Sequence, residues 1–197
     1  MGLYLKEDAA SATFLVHTSW AAVNAALHTY YGAPSDAWLQ LTVPRSAEGP
    51  VVGDLQVYGK TATRLPEGLY LRFNVSAAVG AKWTVGKLGG SVDPFDVVPG
   101  GNHHQHGYSE GLTAGAGGGV LAITSQDFGL TQFGKPIPLP APVWANATSV
   151  SEGASFLLID NTWGTNYPAW VPWRDGEENM RWRFAIERKY IDKVSFF

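Results

Sequence analysis

Leu69-Tyr70-Leu71-Arg72-Phe73-Asn74-Val75 alternates apolar and polar without a break. Leu69, Leu71, Phe73 and Val75 share one side of an extended chain, and Tyr70, Arg72 and Asn74 the other, the period-two signature of a half-buried strand. Working outward, residues 37–43 (Ala-Trp-Leu-Gln-Leu-Thr-Val, ending at Pro44), 51–58, 82–88 and 11–18 read as further strands. The stretch 180–187 alternates again, with Met180, Trp182, Phe184 and Ile186 on one side. The apolar runs 119–125 and 155–160, bounded by turn residues, have the character of central strands. One helix stands among them. Ser19 is its expected N-cap and Gly32 its C′ residue, with Pro34 just beyond, and Trp20, Val23, Leu27, Tyr30 and Tyr31 form a stripe expected to pack on the core.

Eight strands against one short helix predict an all-β fold, an antiparallel β-sandwich, formed by a single domain over residues 1–197. The 23 Gly and 12 Pro punctuate short apolar runs as β structure requires. Pro99 to Gly119, with eight Gly, reads as a long connection. Residues 134–144 alternate Pro with small or apolar residues and should run extended.

The 197 residues carry a net charge of −3 and no basic stripe, which argues against a nucleic-acid partner. No apolar run is long enough to predict a membrane span. The first residues lack the basic-then-apolar order of a secretory signal; localisation is otherwise unassigned. Cysteine is absent, which excludes disulfides, thiolate metal sites and cysteine catalysis.

Three segments carry chemistry-bearing side chains. Asn102-His103-His104-Gln105-His106 groups three of the five His. Imidazoles so close could meet a divalent metal, line a ligand or interface, or simply bond neighbouring backbone; no zinc-helix spacing is present. Asp127 follows the 119–125 strand, where an Asp serves as acid, sugar hydrogen-bonder or ordinary turn residue. Asn161, Trp163 and Asn166 lie in Asp160-Asn161-Thr162-Trp163-Gly164-Thr165-Asn166-Tyr167-Pro168, whose amides and rings suit sugar hydroxyls and C–H faces and equally suit a rigid, aromatic-pinned turn. No nucleophile elbow and no phosphate loop occurs, and sequence alone brings no two carboxylates together as glycosidase chemistry demands.

Arg64-Leu65-Pro66-Glu67-Gly68-Leu69-Tyr70, Lys87-Leu88-Gly89-Gly90, Asp96 through His106, Ile123-Thr124-Ser125-Gln126-Asp127 and Asp160 through Pro168, in that order, resemble the C-terminal region of family 38 glycoside hydrolase-like proteins, and in particular the group named domain of unknown function 5054. The resemblance covers roughly residues 15–187. It implies part of a β supersandwich similar to galactose-mutarotase-like folds, the C-terminal part of a larger α-mannosidase-like enzyme. It also implies that the zinc ion and the Asp nucleophile belong to a barrel without counterpart in this chain, so no cofactor is expected here. The His loop and the Trp-Gly-Thr-Asn loop would then lie at the domain contact or near the active-site rim. The implied partners are carbohydrate, a catalytic barrel or second chain, or further copies in a homo-oligomer. The resulting expectation is a non-catalytic sandwich module that binds sugar or completes a partner's active site. The alternatives are a structural, oligomer-forming sandwich and a small metal-dependent hydrolase using His103, His104 and His106.

Overall fold

A computed structural model describes residues 1–46, 48–63, 67–74, 82–96, 98, 105–116, 119–134, 136, 153–161 and 177–190. Its strands are β1 (Gly2–Glu7), β2 (Ser11–Ser19), β3 (Asp36–Pro44), β4 (Val51–Thr61), β5 (Glu67–Phe73), β6 (Lys82–Lys87), β7 (Gly90–Val92), β8 (Gln105–Gly107), β9 (Gly111–Ala116), β10 (Gly119–Ser125), β11 (Leu130–Phe133), β12 (Ala154–Asn161) and β13 (Glu177–Tyr190). The fold is an all-β sandwich of antiparallel strands. Among the described residues no helix is long and apolar enough to cross a membrane.

All eight strands read from the sequence are present. Five more are described: β1, β7 and β11, and β8 and β9 inside the 99–119 stretch expected to be a connection. The expected helix is broken into α1 (Trp20–Val23) and α2 (Ala25–Tyr31) by Asn24, whose extended backbone (φ −158°, ψ 102°) ends the first piece. Ser19 caps α1 by accepting the Ala22 N–H, Asn24 caps α2 by accepting the Ala26 N–H, and Gly32 closes α2 in the left-handed region at φ 66°. The break resets the helical phase, and the expected core stripe does not pack as one: Trp20 and Leu27 are half-buried, Tyr30 and Tyr31 are exposed, and α2 buries no residue.

The chain forms two compact units. The first spans Met1–Pro66 and Trp163–Ala185. Its strands lie in the order β1-β2-β3-β4-β13. On one face Leu3, Leu5, Phe14, Val16, Leu39, Leu41 and Leu55 are cross-strand neighbours. Leu55, Trp182 and Phe184 are buried. Gly53 is required by close packing, because a Cβ there would stand 2.1 Å from the Phe184 ring.

The second unit spans Glu67–Thr162 and Ile186–Phe197. One of its layers runs β10-β9-β6-β7 and the other β5-β12-β11-β8. They meet where the Trp83 ring of β6 packs edge-on against Phe133 of β11, centroids 5.8 Å apart. Phe156, in the interior strand β12, touches Phe73, Tyr108 and Phe128 at centroid separations of 5.4, 5.7 and 4.9 Å. The Tyr108 hydroxyl donates to the Phe128 carbonyl at 2.7 Å, and burial pushes its pKa far above the ordinary phenol value.

β12 is entered through Gly153 at φ +96°, where an added Cβ would lie 2.1 Å from the Phe73 carbonyl oxygen. That carbonyl cannot retreat, since Phe73 is the ladder partner of Ala154. Gly153→Ala is therefore expected to destabilise the fold by about 1–3 kcal/mol, read as a lowered urea midpoint with unchanged m. A midpoint equal to wild type would contradict this account of the turn.

Candidate functional site

Of the residues singled out from sequence, Asn102, His103, His104, Trp163 and Asn166 lie outside the described residues, as does the side chain of Asn161. His106 is 4% exposed on β8 opposite Thr131, and its ring packs edge-on to Phe133 at 5.5 Å. It thus lies in the sandwich interior, not on a rim. Asp127 is exposed, in a turn whose backbone is held by the Ser125 hydroxyl accepting the Asp127 N–H at 3.0 Å. Among the described residues no group of three metal-ligating side chains is assembled.

Strand direction separates the ends of the two loops expected to share a rim. β8 and β12 are both antiparallel to β11, so they run parallel to each other. Gln105 is level with Ser155 through their common partner Gln132, while Asn161 ends β12 opposite Glu67. The start of β8 and the end of β12 are thus roughly 15–20 Å apart along the strand direction. The turn bearing Asp127, just ahead of β11, is on the Asn161 side. At the Gln105 end, the Gln105 Nε2 is buried with no hydrogen-bond partner among the described residues.

A different constellation stands on the first unit's sheet, on the face opposite the leucine row. Alternation along β1, β2, β3 and β4 brings Tyr4, His17, Trp38 and Gln56 to this side. His17 is the ladder partner of Trp38, and Trp38 of Gln56. The His17 and Trp38 rings stack with centroids 4.1 Å apart and planes 14° apart, and Tyr4 lies 6.2 Å from Trp38 at 25°. Three rings from three strands are therefore nearly parallel. Tyr4 is 56% exposed, and Trp38 and His17 are half-buried.

Hydrogen-bonding groups surround the rings. The Asp36 Oδ1 meets the His17 Nε2 at 2.7 Å. The Tyr58 hydroxyl donates to the Gln56 Oε1, and the Gln56 Nε2 donates to the Asp54 Oδ1 at 3.3 Å. Asp54 also accepts two bonds from the Arg181 Nε at 2.9 Å and a further one from its Nη2. Each of the two carboxylates thus faces a basic group. The His17 hydrogen bond holds Asp36 below the usual carboxylate range, and the Arg181 hydrogen bond does the same for Asp54.

A carboxylate whose folded pKa is depressed stabilises the fold above its unfolded value of about 3.9, and that contribution is lost as pH falls through the folded value. Both pairs are in partial contact with water, and Arg181 is exposed, so screening limits each to at most about 1 kcal/mol. The urea midpoint is expected to drop as pH is lowered from about 5 to about 3, and the drop should be shallower in Asp54→Asn. An identical acid profile in the variant would show that the Arg181 pair contributes nothing.

The sequence carries a signal for this face: His17, Trp38, Gln40 and Gln56 occupy the non-core parity of strands legible in the sequence, and a Trp on that parity is an aromatic facing outward. Comparison with protein-family models, with curated proteins and with solved structures gave no match.

Proposed function

We propose that this chain is a non-catalytic β-sandwich module of a family 38 glycoside hydrolase-like protein, and that it binds carbohydrate on the Tyr4–His17–Trp38 face. The observation that carries the reading is the near-parallel set of three rings on a half-exposed sheet face, bordered by an amide, a phenol and a carboxylate–imidazole pair. Sugars present polarised C–H faces that stack on aromatic rings, and hydroxyls that need donors and acceptors at the ring's edge. The stack also fixes the rotamers of Trp38 and His17 before any ligand arrives, which lowers the ordering cost of binding. The family assignment rests on the ordered motifs from Arg64 to Pro168; the location of the sugar face rests on the ring geometry.

Titration with unbranched manno- and gluco-oligosaccharides, followed by tryptophan fluorescence and calorimetry, tests the proposal. A saturable change with at least one series is expected. No response to any mannoside or glucoside would refute it.

A further inference from the structure

The apolar face of the first unit's sheet changes character from strand to strand. Leu55 on β4 is buried, Leu39 and Leu41 on β3 and Phe14 and Val16 on β2 are half-exposed, and Leu3 and Leu5 on β1 are 66% and 55% exposed. All nine residues of β2 are partly exposed, although strands flank it on both sides. β1 is the outermost strand of the order, pairs with β2 along all six residues without a bulge, and contains no proline. A flat apolar edge of this kind is a template for another strand, and here its charges are confined to Lys6 and Glu7 at one end.

We propose that β1 pairs antiparallel with β1 of a second copy of this chain, across a two-fold axis through Tyr4. In such a pair facing residues share a side of the sheet, so their numbers must sum to an even value. The register summing to eight sets Leu3 against Leu5 of the other copy, Gly2 against Lys6, and Tyr4 against Tyr4. No like charges oppose one another, and the exposed leucines meet leucines. A helix or loop laid on the leucine face would cover it but leave the edge N–H and C=O groups of β1 unpaired; a second β1 satisfies both.

The same register deepens the sugar-binding proposal, on which this part rests. It joins Trp38, His17 and Tyr4 of one copy to Tyr4, His17 and Trp38 of the other in a row oblique to the strands, because His17 and Trp38 share their rung with Gly2, two residues from Tyr4. The row crosses five strand spacings and about four residues along the strands, about 27 Å from Trp38 to Trp38. The ligand it fits is a long, unbranched glycan spanning both copies, which the dimer would hold more tightly than either half alone.

The dimer is tested without any sugar, so its failure and that of the sugar reading can be told apart. Sedimentation of the full chain should give twice the monomer mass, and Leu3→Lys/Leu5→Lys, which sets Lys against Lys, should sediment as a monomer with an unchanged circular dichroism spectrum. Because the chain has no cysteine, Tyr4→Cys should form an interchain disulfide on mild oxidation, and Thr13→Cys, one strand further in, should not. In the assay with sugar, long oligosaccharides should lose affinity for the double-lysine variant while short ones should not. A wild-type monomer at every concentration overturns the proposal, as does a dimer that survives the double variant and does not cross-link at position 4. Cross-linking by Leu5→Cys in place of Tyr4→Cys would place the axis at Leu5 and overturn the joined row.

Discussion

Phe156→Ala is expected to destabilise the second unit by about 3–5 kcal/mol, the range for emptying a large aromatic site in a packed core. Phe156 is fully buried, and three rings converge on it from β5, from Tyr108 after β8 and from Phe128 before β11. Its ladder partners Leu71 and Thr131 flank it within the four-stranded layer. The surrounding backbone is held by strand pairing on both sides of β12, so the site cannot collapse to fill the space. The Tyr108 hydroxyl must keep its Phe128 carbonyl partner or be left buried and unsatisfied, which adds to the cost. Thermal or urea unfolding measures the loss. For a chain of this size it corresponds to a fall in melting temperature on the order of 10 °C. Phe156→Leu keeps most of the apolar volume and should lose much less. A Phe156→Ala protein within about 1 kcal/mol of wild type would mean that this cluster is not the centre of the unit's core.

Core strands were legible because burial imposes a period. The alternation of 69–73 and 180–187 and the apolar run 155–160 could be read without knowledge of their partners. The strands of the 99–119 stretch lack that period or length. Gly111-Leu-Thr-Ala-Gly-Ala116 has weak intrinsic strand preference; it is extended because β6 and β10 bracket it, with Leu112 set between Val85 and Ile123. β8 is three residues long and exists through its pairing with β11. β1 does carry the period, with Leu3 and Leu5 alternating against Tyr4 and Lys6, but over only six residues at the outer edge of the strand order. The helix was placed correctly and its break was not, because Asn24 is neutral as a helix residue yet a good N-cap.

The candidate site divides in the same way. A His on a strand can face inward or outward according to one residue of register, and His106 faces inward, toward Phe133. Parity alone cannot say which side of a sheet is covered. The face carrying Trp38 therefore became recognisable only once β2, β3 and β4 were aligned and Leu55, on the opposite side, was seen to be buried.

Trp38→Ala is expected to weaken oligosaccharide binding by at least about 30-fold, the equivalent of roughly 2 kcal/mol, as for truncation of a central aromatic contact. Trp38 is within ring contact of both His17 and Tyr4, so its removal takes away the largest apolar surface and also frees the other two rings. His17 would keep its bond to Asp36 but lose the plane that orients it. Trp38 is only half-buried, and its cross-strand pairing contributes about 0.5–1 kcal/mol to the sheet, so the melting temperature should fall by no more than a few degrees. That contrast separates a binding role from a structural one. The chain has eight Trp, and the variant should also abolish most of the ligand-induced fluorescence change if Trp38 is the reporter. Trp38→Phe, which preserves a ring face, should recover part of the affinity. Unchanged binding in Trp38→Ala, or a loss that appears only together with unfolding, would move the sugar site away from this face.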